Sequence, residues 1–262
     1  MPIVLIAAAF YLLAGWLVVR RLLVDRGAGA GFWLLTAISA VALHALYHYL
    51  SWRHGGGLDL RFFAALSLVG LGMAALTTVY AAAGRMGALG VVVFPIAAAA
   101  LVGYAVSSGP QARDLDWRLE LHAWFALLAY ATLAVAALLA IMLWLQERAL
   151  RRHEFHRWLR VLPPLTELET LLFRTIAVGF VLLTATLLTG VLFVEDFFAQ
   201  HLIHKSVLSV LSWLVFGALL FGRWRYGWRG ARAARWTLTA MALLVLAFFG
   251  SKFVLELVLR RG

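Results

Sequence analysis

The sequence predicts an all-α, polytopic membrane protein, a helical bundle of eight transmembrane helices with both termini outside. Three observations predict this class. Of the 262 residues, 64% are hydrophobic and only 13% are charged, whereas soluble domains have roughly 25% charged residues. The apolar residues fall into eight runs of about 20, the length that a helix needs to cross a bilayer. Only short segments remain between the runs, so residues 1–262 are expected to form a single membrane domain without a soluble catalytic part.

The eight spans are predicted, in order, at residues 3–19, 32–50, 62–83, 88–106, 121–145, 171–193, 206–222 and 237–259. The first is interpreted as a retained helix, because no basic region precedes it as in a secretory signal peptide. The Gly-rich stretch RHGGGLDL separates spans two and three as a loop, and the longest loop, residues 146–170, separates spans five and six. In the last span, Lys252 and Glu256 are four residues apart and are expected to form a structural pair.

Arginines cluster in alternate loops and thereby predict the orientation. They are frequent in residues 20–31, 146–170 and 223–236, and one follows span three. The positive-inside rule assigns these segments to the cytoplasm and both termini to the outer side. The net charge of +11 would suggest nucleic acid in a soluble protein. Here the arginines lie beside spans, so the expected partner is the lipid bilayer and not nucleic acid.

This orientation places six of the eight histidines on the outer side: His44, His48, His54, His122, His201 and His204. The other two, His153 and His156, fall in the basic loop and are interpreted as solvated side chains. His44 and His48 share a helix face at i, i+4, and His201 and His204, in the loop before span seven, have i, i+3 spacing, so either pair could hold an ion. An aromatic belt or a solvated loop is the alternative interpretation for His48, His54 and His201.

The chain has no cysteine, so a cofactor cannot be attached to it through thioether bonds. Porphyrin suits the outer end of the bundle, because it needs a flat apolar slot, axial imidazoles and cations near its propionates. His122 lies where the acidic segment 111–120 gives way to an unbroken apolar helix. Five outer-side cations could pair with propionates: Arg53, Arg61, Arg113, Arg118 and Lys205.

From His122 onward the chain resembles the CcsA/CcmC-type cytochrome c assembly proteins, a membrane heme-handling family, and most closely its YpjD/HemX-like branch. The resemblance rests on four stretches: HAWFALLAYATL (122–133), GVLF with HKSVLSVLSWLVFGALL (190–220), GWRG (227–230) and FFGSKFV (248–254). It covers about residues 120–262 well, and the first four spans by architecture and His44.

The resemblance implies a heme-handling protein of the bacterial inner membrane, not an enzyme, that holds heme b non-covalently at its outer face. His122 is implied as the first axial-ligand candidate, followed by His204 and His44, with Arg53, Arg113 and Lys205 near the propionates. Other cytochrome c maturation or tetrapyrrole-synthesis proteins are the expected partners. The family's heme-binding segment is tryptophan-rich, whereas FVEDFFAQHLIHK has no tryptophan, so heme binding is expected more directly than heme transfer.

Two other functions remain open. HemX-like relatives are associated with control of tetrapyrrole synthesis, which would use the arginine-rich cytoplasmic loops as a partner surface. Transport of divalent cations through the paired histidines ranks last, because transport normally needs polar groups near the bilayer midplane and these spans offer few beyond threonines.

Overall fold

The computed structural model describes residues 1–24, 30–55, 57–84, 86–107, 116–153, 163–193, 200–250 and 253, and in these ranges every regular element is helical. The α-helices are α1 Pro2–Val24, α2 Ala30–Gly55, α3 Phe62–Ala82, α4 Gly90–Val106, α5 Trp117–Arg151, α6 Leu165–Phe193, α7 Gln200–Tyr226 and α8 Gly230–Val245. A 3-10 turn, Gly87–Leu89, precedes α4, and a π-helical segment, Leu246–Gly250, follows α8. Among these described residues, eight helical stretches are long and apolar enough to cross a membrane. The predicted class is confirmed, and the orientation of the termini stays a prediction.

Several helices extend beyond the predicted spans. Helix α5 has 35 residues, about 52 Å at 1.5 Å per residue, whereas the hydrocarbon core is about 30 Å thick. The predicted bounds of the loop at 146–170 are therefore wrong at both ends, because α5 continues to Arg151 and α6 begins at Leu165. Placing His201 and His204 in a loop was also wrong, because α7 begins at Gln200. Gln, Glu, Lys and Arg are good helix formers, so a helix can continue where hydropathy falls. Lys252 and Glu256 lie outside the described residues.

The chain falls into two compact units, and the first contains α1 to α4. Within it, α1 packs against α2 and α4, and α3 packs against α4. Small residues allow close approach of the helices, as is common in membrane bundles. A Cβ added to Gly70 of α3 would lie 3.4 Å from the Cα of Ala97 of α4. The single domain predicted from the sequence stays a prediction.

The second unit contains α5 to α8 and the π-helical segment. Helix α5 packs against α6 and α8, and α7 packs against α8. Gly179 brings α6 close to α5, since a Cβ there would lie only 2.5 Å from Cδ2 of Leu133. Between α7 and α8, the Ser212 hydroxyl donates to the Ala240 carbonyl at 2.8 Å. The unit thus combines close backbone contact with satisfied polar groups.

A buried carboxylate fixes the turn between α7 and α8, which contains the GWRG stretch. Glu169 of α6 is 5% exposed and accepts the Gly230 N–H at 2.7 Å. It also pairs with Arg229 at 3.3 Å and with Arg223 at 3.9 Å. The Arg223 guanidinium lies 4.7 Å from the ring centroid of Phe173. Glu169 therefore ties the start of α6 to the start of α8, a role that the sequence analysis did not assign.

We expect Gly230→Ala to destabilise the protein more than Gly227→Ala. Both glycines have positive φ, +60° and +65°, so alanine at either position costs about 1–2 kcal/mol of backbone strain. Only at Gly230 would the added Cβ also meet a side chain, 2.7 Å from Oε2 of Glu147. The total cost there is expected to reach about 3 kcal/mol. Chemical unfolding in detergent, followed by circular dichroism, checks the difference. Equal losses in the two variants would contradict the close contact with Glu147.

Candidate cofactor site

A cavity of about 180 Å³ lies in the second unit, between its four helices. Its lining residues come from α5 (His122, Ala126, Tyr130), α6 (Leu183, Thr186, Leu187, Gly190), α7 (Lys205, Ser206, Ser209), α8 (Leu244) and the π-helical segment (Ala247, Phe248). The three residues of α5 are spaced by four and therefore lie on one helix face. His122 is the sixth residue of α5, so the cavity lies near the helix end where α5 begins.

His122 is held by a threonine of the neighbouring helix. Its Nδ1 lies 3.1 Å from Oγ1 of Thr189. That hydroxyl donates its single proton to the carbonyls of Ala185 and Thr186, at 2.8 and 3.0 Å. With its proton on these carbonyls, the hydroxyl accepts from His122, and the imidazole then carries its proton on Nδ1. In this tautomer Nε2 keeps its lone pair. Metal-binding histidines are commonly oriented in the same way, by a hydrogen bond from the other ring nitrogen.

The remaining walls combine apolar surface with a polar edge. The rings of Tyr130 and Phe248 contribute flat apolar faces, while Lys205, Ser206 and Ser209 provide polar groups along α7. A π-helical segment forms part of the wall, and such segments frequently occur at functional sites. These groups suit heme, which needs an imidazole, an apolar slot and a cation. The volume is smaller than the roughly 300–1,000 Å³ of cofactor sites, so much of a macrocycle bound here would lie outside the cavity.

The structure brings together two of the predicted site residues, His122 and Lys205. His204 lies in α7 immediately before Lys205, and its side chain is outside the described part of the structure. Arg113 also lies outside the described residues. Arg53 belongs to the first unit, where its Nη1 donates to the Tyr49 hydroxyl at 3.3 Å. Their roles as ligands or propionate partners stay predictions.

His44 lies in the first unit and is fully buried. Its Nδ1 is 3.2 Å from the Tyr11 hydroxyl, and its Nε2 is 2.9 Å from Oγ of Ser67. The same Ser67 hydroxyl lies 2.9 Å from Nε2 of His48. The two imidazoles stack with ring centroids 5.3 Å apart. Both ring nitrogens of His44 therefore have protein partners, and iron coordination would require one of these hydrogen bonds to break. That His44 shares one cavity with His122 stays a prediction.

The polar network of His44, His48 and Ser67 continues toward the loop between α2 and α3. His48 stacks on Tyr104, with ring centroids 5.0 Å apart. In the loop, Arg61 pairs with Asp59 at 2.6 Å. Burial raises the pKa of the Asp59 carboxyl, but the hydrogen bonds and charge of Arg61 outweigh burial and hold that pKa below its usual value. Asp59 therefore stays ionised near neutral pH.

The described residues contain no group of three or more His, Asp or Glu side chains that could hold a metal ion. His44 and His48 do share a helix face, as their spacing predicted, but between them lies a serine hydroxyl. Thr189, Ser67 and Tyr11 were missed by the sequence analysis. A hydroxyl residue on an apolar helix carries no sequence signal that identifies its partner on another helix.

Comparison with known proteins gives one family and several relatives. The family model described as "Cytochrome C assembly protein" matches residues 29–259. "Inner membrane protein YpjD" of Escherichia coli K12 is 31% identical over 268 residues, which cover 98% of this chain and all of that protein. An uncharacterised 28.8 kDa protein of Azospirillum brasilense is 39% identical over 54% of this chain and 53% of its own length. "Cytochrome c biogenesis protein CcsA" of Prochlorococcus marinus MIT 9515 is 33% identical over 34% of this chain and 29% of its length. No solved structure matches the chain.

Proposed function

Because the chain belongs to the cytochrome c assembly protein family and is a multi-pass protein of the inner membrane, we propose that it binds heme b through histidine at the outer face. The absence of cysteine supports non-covalent binding, since the chain cannot form thioether bonds to vinyl groups. The proposed role is to hold a cofactor during cytochrome maturation, not to catalyse a reaction.

The hydrogen bond between His122 and Thr189 is the observation that carries this proposal. When the Thr189 hydroxyl donates to the Ala185 carbonyl, His122 donates from Nδ1 and its Nε2 lone pair is available to iron. His122 is therefore the first axial ligand. His204 is the next candidate, because its neighbour in the sequence, Lys205, lines the same cavity. His44 follows, since both of its ring nitrogens are occupied.

Cations near the cavity would pair with the heme propionates. Lys205 is the candidate that lines it, and Arg53 and Arg113 remain candidates from the sequence alone. Heme supplies the redox-active iron, and the protein supplies the axial imidazole, the apolar wall and the counter-charge. Because the cavity is small, part of the porphyrin would stay accessible from outside it. Such accessibility suits a protein that receives heme and passes it to a partner in cytochrome maturation.

Titration of the purified protein with hemin tests the proposal. We expect a Soret band that saturates at one heme per chain, shifted from that of hemin in detergent micelles. Two axial imidazoles would give a six-coordinate, low-spin spectrum, and one would give a five-coordinate spectrum that added imidazole changes. His54→Ala is the matched control, since His54 is exposed and bonds the Leu50 carbonyl; its spectrum should equal that of the wild type. If hemin shows only its micellar spectrum, the heme proposal fails and control of tetrapyrrole synthesis becomes the better explanation.

A further inference from the structure

A second pocket, of about 430 Å³, lies at the end of the second unit where α5 ends and α8 begins. Four arginines line it: Arg148 and Arg151 from α5, Arg152 immediately after its end, and Arg235 from α8. Arg148 and Arg151 are spaced at i, i+3 and so lie on one side of α5. Two different helices thus direct guanidinium groups into one concave surface.

The described residues that line this arginine pocket carry more positive than negative formal charge. Its one carboxylate, Glu147, pairs with Arg151 at 2.5 Å. Four guanidinium groups and one carboxylate leave a formal excess of three positive charges among the described lining residues. The pocket therefore favours an anion with several acceptor oxygens. Phosphate fits best, because a planar guanidinium can donate two parallel hydrogen bonds to it.

The residues around the pocket are of the types that occur at the membrane interface. Trp144 lines the pocket and is 37% exposed. The Arg148 guanidinium carbon lies over the indole of Trp144, 5.4 Å from the ring centroid. Tryptophan is enriched at the membrane interface. Ile141 and Leu145, which lie on the same face of α5 as Arg148, are 38% and 41% exposed. An acyl chain could lie along these side chains while its phosphate is in the pocket.

We propose that the arginine pocket binds the headgroup phosphate of an anionic phospholipid. Arg148 and Arg235, from the two facing helices, hold the phosphate, and the exposed apolar residues of α5 contact the acyl chains. Basic pockets between transmembrane helices are suited to such headgroups. The proposal is independent of heme, since no residue of the pocket lines the His122 cavity.

Native mass spectrometry of the purified protein with added phosphatidylglycerol tests this site, with phosphatidylcholine of the same chains as the comparison lipid. We expect one tightly bound phosphatidylglycerol and weaker phosphatidylcholine binding. The double variant Arg148→Gln/Arg235→Gln is expected to bind phosphatidylglycerol about 30-fold more weakly. Arg225→Gln/Arg232→Gln is the matched control, with the same charge change at exposed arginines that do not line the pocket; it should bind nearly as well as the wild type.

Three results would overturn the assignment: equal binding of the two lipids, equal losses in the two double variants, or binding of inorganic phosphate that displaces the lipid completely. The first would remove the preference for an anionic headgroup, and the second would reduce the effect to net charge. The third would leave a site for free phosphate in place of a lipid site. Unchanged circular dichroism and melting temperature in both double variants show that the binding loss is not a loss of fold.

Discussion

Replacing His122 with alanine is expected to lower the affinity for heme by more than about 100-fold, because it removes the proposed iron ligand itself, whereas loss of a residue that merely orients a ligand costs about 10–100-fold. Hemin titration followed at the Soret band measures the change. Added imidazole should restore part of the band, since it can enter the space left by the side chain and coordinate iron. The variant should otherwise fold normally, because His122 is only half-buried.

Thr189→Val tests whether the hydrogen bond to His122 contributes to heme affinity, because the substitution removes that bond and nearly preserves the packing. Valine has nearly the shape of threonine but cannot accept the hydrogen bond from Nδ1 of His122. We expect a drop in heme affinity of about tenfold, the lower end for such an orienting residue. His54→Ala should leave the affinity unchanged. An unaltered spectrum and affinity in His122→Ala would refute His122 as the ligand, even if the wild type binds heme, and would direct attention to His204 and His44.

Glu169→Ala is expected to cost about 2–4 kcal/mol of the free energy of unfolding. The substitution leaves the Gly230 N–H without its acceptor and leaves Arg223 and Arg229 without their shared carboxylate. The loss stays below that of a fully buried ion pair, since the Arg229 side chain is 64% exposed and can be hydrated. Equilibrium unfolding in mixed detergent, followed by circular dichroism, measures the change.

Glu167→Ala is the control for this prediction. Glu167 lies two residues before Glu169, in the first turn of α6, but is exposed, so its loss should cost less than about 0.5 kcal/mol. Glu169→Gln should lie between the two, because the amide oxygen can still accept from Gly230 while the charge is lost. Comparable destabilisation by Glu167→Ala and Glu169→Ala would mean that the turn does not depend on the buried carboxylate.

The helical class was predictable because an apolar run of about 20 residues has few alternatives to a spanning helix. The ends of the helices were not, as α5 shows: residues 146–151 are polar in part yet continue the helix. Hydropathy indicates where the chain leaves the hydrocarbon core of the bilayer, whereas the position at which the helix ends depends on helix propensity. The two positions coincide only when a breaker or a cap lies at the interface.

The site was predictable where one residue carried the signal. His122 stands out in the sequence as an ionisable residue at the start of an apolar helix. Its partner Thr189 is 67 residues away, and no local pattern connects the two. The pairing of His44 with His48 followed from their spacing, but Ser67, which lies between their ring nitrogens, comes from a different helix. Contacts between helices depend on how they pack, and that information is spread over many small apolar residues.

The Ser67 hydroxyl couples the tautomers of His44 and His48, which both hydrogen-bond to it. A hydroxyl has a single proton, and His44 and His48 are the hydrogen-bond partners that the described residues offer it. With both imidazoles neutral, every polar atom at Ser67 is satisfied only if one histidine donates to the oxygen and the other accepts its proton. If His44 donates from Nε2 to Ser67, its Nδ1 accepts from the Tyr11 hydroxyl. If instead Nε2 accepts from Ser67, Nδ1 donates to the Tyr11 oxygen. The two rings therefore have opposite tautomers, and a change in one requires a simultaneous change in the other.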